Sequence, residues 1–116
     1  MTKITIYQKP TCTTCRQVHA ILKKRNVDFD SVNYFFDPIS KEKLKDLLFK
    51  LRMSARDLIR TKEPVYKELG IADNNFTEDH IIELMAKYPE LIQRPIVERG
   101  AKAIVARPAD KIKEIL

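Results

Sequence analysis

The tightest constraint on how this chain can fold lies in its first 36 residues, where strand, helix and strand patterns follow one another without a spacer. Ile4 and Ile6 alternate with polar neighbours over residues 3–8, the two-residue period of a half-buried strand. Lys9-Pro10-Thr11 then breaks that pattern. From Cys12 onward, Cys15, Val18 and Leu22, joined by Ile21, recur at helical spacing, and Asn26 closes the segment. Residues 28–36 return to a strand period with Val32, Tyr34 and Phe36 in one phase, until Asp37-Pro38 stops them. Two strands joined through a helix make a right-handed parallel crossover almost without exception, so this opening predicts an α/β sheet with helices on its faces.

The middle of the chain reads as helix. Ser40 caps a run carrying Leu44, Leu47, Leu48 and Leu51, and Ser54-Ala55-Arg56-Asp57 has the form of a capping box. Residues 64–69 predict a further turn or two, opened by Pro64 and stopped by Gly70. Thr77 caps a segment bearing Ile81, Leu84, Met85 and Tyr88 that ends at Pro89. These leucine and methionine stripes read as core packing without chemistry. After Arg94-Pro95, residues 96–98 and 103–106 are short β-rich pieces either side of Arg99-Gly100, the outline of an antiparallel hairpin. Pro108 suits the first position of a last helix whose buried stripe is Ile112, Ile115 and Leu116. The order βαβ, helical block, ββα is that of a thioredoxin-like α/β fold, a small mixed sheet with a helical insertion in its middle. With 116 residues and no repeat or linker, residues 1–116 are expected to form a single domain.

Charge narrows the function classes. The excess of 22 basic over 16 acidic side chains gives a net charge of +6, which suits a small anion, a nucleic acid or simple solubility. The densest basic run, Lys23-Lys24-Arg25, falls at a helix end, where cations complement exposed carbonyls. No basic stripe is interleaved with aromatics that would stack on bases, so direct nucleic-acid binding is not expected. No apolar run approaches the roughly 18 residues that span a bilayer, so no membrane segment is expected. Met1-Thr2-Lys3 runs straight into the first strand pattern, with no room for the apolar core of a signal peptide, which points to a cytoplasmic protein. In that reducing compartment two cysteines favour a catalytic or sensing pair over a permanent structural disulfide.

The cysteine turn is the strongest chemical signal. A cysteine attacks as its thiolate, which requires a depressed pKa, access and a positive field. Cys12 sits where the first helix exposes unpaired N–H groups and the positive end of its dipole, with Arg16 one turn on. Cys15, one turn further in, is close enough for a disulfide with Cys12 and shares its helical phase with Val18 and Leu22, so it reads either as a resolving thiol or as a small core residue. Structural zinc wants four ligands, and two cysteines with His19 and His80 at these spacings do not suggest it, so no metal is expected. The two histidines read as partly exposed structural residues.

Four stretches together resemble the ArsC-type arsenate reductase family: Ile4-Thr5-Ile6-Tyr7-Gln8-Lys9-Pro10-Thr11-Cys12; Leu58-Ile59-Arg60-Thr61-Lys62-Glu63-Pro64-Val65-Tyr66-Lys67-Glu68-Leu69-Gly70; Arg94-Pro95-Ile96-Val97; and Ala106-Arg107-Pro108. The resemblance implies that Cys12 is the nucleophile, that Arg60, Arg94 and Arg107 surround a tetrahedral oxyanion, and that Pro95 is cis and faces the active cysteine. Guanidinium forks, always charged and geometrically fixed, suit such a dianion. It further implies a covalent cysteine-arsenate adduct, glutathione as co-substrate, glutaredoxin or thioredoxin as reductant, and no tightly bound cofactor. Cys15 stands where such enzymes usually carry serine, and Gln8 and Lys9 where they carry histidine or asparagine. A Cys-x-x-Cys in the same fold also resembles Spx, a disulfide-stress regulator that binds RNA polymerase. Arg107-Pro108 resembles the reductase branch instead. A general glutathione-dependent thiol reductase is the third reading.

Overall fold

A computed structural model describes residues 3–9 and 11–116. Pro10, part of the expected strand-breaking tripeptide, lies outside the described residues. The chain forms two compact units, one made of residues 1–37 and 94–116 and the other of residues 38–93.

The first unit is built on a four-stranded mixed sheet. Strands β1 (Ile4–Gln8), β2 (Phe29–Asn33), β3 (Ile96–Arg99) and β4 (Lys102–Val105) lie in the order β2-β1-β3-β4. β1 runs parallel to β2 through helix α1 (Thr13–Lys24), and antiparallel to β3, which pairs antiparallel with β4. Ile4 and Ile6 turn one face of β1 onto a core shared with Val18 and Leu22 of α1, Val97, and Ala109, Ile112 and Ile115 near the C-terminus. This is the thioredoxin-like arrangement that the element order predicts.

The hairpin strands differ from the sequence reading by one residue, and β2 and the last helix differ more. β2 ends at Asn33, three residues before the apolar alternation does. The Asn33 carbonyl accepts the N–H groups of Phe36 and Asp37, and its side chain accepts from Phe35 N at 3.1 Å, so an asparagine turn ends the strand. The last helix is 3₁₀ in character (Ala109–Glu114), and Pro108 precedes it as the cap with ψ 164° instead of occupying its first turn. A proline ring sets φ but leaves ψ free to be extended.

The second unit is helical: α2 (Lys41–Leu51), α3 (Ala55–Leu58), α4 (Pro64–Glu68) and α5 (Glu78–Lys87), then a 3₁₀ turn over Pro89–Leu91. Its starts follow local chemistry. Ser40 accepts from Lys43 N, Thr77 accepts from His80 N, and Ser54 with Asp57 forms a complete capping box. Glu78 also accepts Ala55 N with both carboxylate oxygens, at 2.9 and 3.0 Å, tying the start of α5 to that of α3. Gly70 takes the left-handed φ of +63° that stops α4. Leu44, Leu47, Leu48, Ile81 and Met85 are buried, as the stripes predict, whereas Leu51, Leu84 and Tyr88 of the same stripes are half-buried. No helix among the described residues is long and apolar enough to cross a membrane.

Candidate active site

The site lies at the C-terminal end of β1, where open α/β sheets characteristically place their chemistry. Cys12 is the N-cap of α1, with extended backbone and its amide held to Lys9 O at 3.0 Å. No side chain caps the helix start, and the backbone N–H of Cys15 in its first turn interacts with the Cys12 sulfur. Neither Cys12 nor Cys15 is in a disulfide; Cys12 is half-buried and Cys15 is buried.

Their surroundings split the two thiols. Burial works against ionising Cys12, but hydrogen bonds from the Cys15 thiol and the Cys15 backbone, another from Arg107, and the charge of Arg94 outweigh it and hold this pKa below its ordinary value. Cys15 moves the other way. Burial first, then its hydrogen bond and charge interaction with Cys12, push it up to about 12, against smaller opposing effects of the Lys9 backbone and Arg94. One negative charge is thus favoured on the pair, and it resides on Cys12.

Hairpin register assembles the basic side of the site. Ile96 pairs with Val105, and the pairing continues past both strands: Ala106 N donates to Pro95 O at 3.0 Å, and Arg107 Nη1 donates to Arg94 O at 3.2 Å. A Gly100-Ala101 loop, with Gly100 at φ +60°, sets this register. The Arg94-Pro95 bond is cis, as the resemblance implies, and so is Arg107-Pro108. The Arg94 guanidinium packs over the Phe35 ring at 6.0 Å, and Lys9 Nζ lies 5.0 Å from the same centroid. Arg94 Nε and Nη1 are buried and have no hydrogen-bond partner among the described residues.

The first unit therefore brings Cys12, Cys15, Arg94 and Arg107 together. Arg60 belongs to the second unit, where its Nε pairs with Glu63 Oε1 at 3.0 Å and its amide donates to Leu91 O. Among the described residues no group of three or more His, Cys, Asp or Glu is placed to hold a metal ion. Sequence reasoning did not single out Phe35, which no pattern separated from its apolar neighbours, or the contact of His19 with Gln8. That contact was foreshadowed by phase: Gln8 continues the Ile4, Ile6 face toward α1, and His19 Nε2 meets Gln8 Oε1 at 2.5 Å.

Comparison with known proteins agrees with this architecture. The sequence model of the ArsC family matches residues 7–115. An Escherichia coli protein named uncharacterized protein YfgD is 41% identical over all of this chain and 99% of its own length. A Neisseria meningitidis protein named arsenate reductase is 36% identical, with complete coverage of both. The solved structure of an arsenate reductase from Vibrio cholerae superposes with a TM-score of 0.95 at 34% identity, over 99% of this chain and 98% of that one. With its fold, its cysteine turn and these matches in accord, the chain belongs to the ArsC family.

Proposed function

We propose that this protein is an arsenate reductase whose nucleophile is Cys12 and whose oxyanion is held by Arg94 and Arg107. The observation that carries the reading is the guanidinium of Arg94, whose Nε and Nη1 are buried without a partner among the described residues, beside a thiol whose ionised form is favoured. Leaving a buried charged donor unmatched costs more than the roughly 1–3 kcal/mol of a neutral one, and a tetrahedral dianion supplies the missing acceptors. Arg60 is assigned to the same anion on the family resemblance.

In the proposed sequence the Cys12 thiolate attacks arsenic, an S–As bond forms, and one arsenate oxygen leaves as water after protonation. A second thiol then attacks the Cys12 sulfur. An S–S bond forms, the S–As bond breaks with its electron pair staying on arsenic, and arsenite departs as two thiols are oxidised to a disulfide. That second thiol is Cys15 or glutathione; thioredoxin reduces the intramolecular disulfide, or glutaredoxin the mixed one, and the Cys12 thiol is restored. The reaction belongs to the cytoplasm, whose reducing pool keeps both cysteines as thiols between turnovers.

The test is arsenate-dependent oxidation of NADPH, run separately with glutathione plus glutaredoxin and with thioredoxin, on wild type and Cys12→Ser. Turnover that disappears with Cys12 is expected. No turnover with either donor, together with capture of RNA polymerase, overturns the reading in favour of the Spx-like regulator.

A further inference from the structure

We infer that His19 takes the proton from Cys15 as that thiol attacks the Cys12 sulfur, across the small pocket that both residues line with Gln8 and Arg16. The inference rests on the reading of Cys15 as the resolving thiol. The pocket has a volume of about 220 Å³, room for a few waters at roughly 30 Å³ each. Cys15 is 1% exposed, so bulk hydroxide reaches it poorly. Burial, the largest cause of its raised pKa, persists when the Cys12 sulfur is tied up in an adduct, so the thiol stays protonated at neutral pH unless a local base acts.

His19 has the placement and protonation state for that task. It lies four residues after Cys15 on α1, the spacing that puts two side chains on one helical face, and it lines the same small pocket. Because Gln8 Oε1 is an acceptor, His19 Nε2 carries the ring proton and Nδ1 keeps its lone pair. Phe29 packs edge-on against the ring at 4.8 Å and holds its plane. Burial, then the charge of Lys23, keeps the imidazole pKa below its usual value, so it is neutral and able to accept at physiological pH. Arg16 and Lys23 are the nearby cations of its own helix, and β1 and β2 present Gln8, Ser31 and Phe29, none of which titrates near neutrality.

A chromogenic disulfide isolates the step without arsenate. The Cys12 thiolate attacks dithiobis(nitrobenzoate) and releases one thionitrobenzoate in a bimolecular phase. Cys15 then gives its proton to His19, its sulfur bonds to that of Cys12, and the second thionitrobenzoate leaves in a first-order phase. In wild type that second phase is expected to stay nearly constant from about pH 7 to 9, since the base is already neutral there. His19→Gln, which can still bond Gln8, slows it about 100-fold and makes it climb about tenfold per pH unit. Adding imidazole accelerates it in His19→Ala. A second phase that already climbs steeply in wild type, or that stays flat and fast in both variants, overturns the inference while leaving Cys15 as resolver. A wild type that releases one equivalent and retains the mixed disulfide by mass overturns the resolving role of Cys15 and the inference with it.

Discussion

At the scale of the residue, the two cysteines differ by position on one helical turn. Cys12, at the N-cap, sees free backbone donors and two guanidinium groups, whereas Cys15 sees burial and the charge of its neighbour. Arg107→Ala removes a donor to the Cys12 sulfur, and Cys15→Ala removes another, so each variant should raise the Cys12 pKa. The midpoint of the pH profile for Cys12 alkylation by iodoacetamide is then expected to move upward, and the rate at pH 7 to fall several-fold. Cys15→Ser, which keeps a hydroxyl donor, should lie between wild type and Cys15→Ala. An unchanged profile in both alanine variants would refute this account of the thiolate. The depressed pKa of Cys12 is legible from its place at the start of α1, whereas the division of labour between the thiols is not visible in the Cys-x-x-Cys spacing, which leaves Cys15 open as resolver or core residue.

At the scale of the element, local chemistry explains where helices begin and where a strand stops short of its apolar pattern. Ser40, Ser54 and Thr77 act as N-caps in the structure because a cap needs only its own side chain and an amide two or three residues on. Such signals are contained in the sequence. Thr77→Ala should therefore cost about 1 kcal/mol, read as a lower urea midpoint with an unchanged slope. The apolar phase of Val32, Tyr34 and Phe36 outruns β2 because alternation records which face is apolar, while Asn33 decides where pairing stops. At Pro108 the ring suits a first turn, but the extended ψ makes the residue the cap.

At the scale of the whole molecule, burial of apolar side chains stabilises the sheet unit that carries the thiols. Leu22 is fully buried in the core shared by β1, α1 and the C-terminal 3₁₀ helix. Leu22→Ala should cost about 2–5 kcal/mol through lost transfer energy and the cavity left behind. Chemical denaturation measures this; a loss below about 1 kcal/mol would show that the site can collapse around the smaller side chain. By itself the sequence determined the element order, the three caps, the core stripes and the place of the cysteine turn, because periodicity, capping and turn chemistry act over a few residues. It also held the hairpin that aligns Arg94 with Arg107, since a short loop at Gly100 sets register from within the chain. Tertiary structure alone decided that β3 lies beside β1, which brings those arginines to Cys12, that Phe35 lies beneath Arg94, and that Gln8 meets His19. These relations depend on which strand pairs with which and on the face each side chain turns inward, and no local pattern encodes a contact between residues so far apart in the chain.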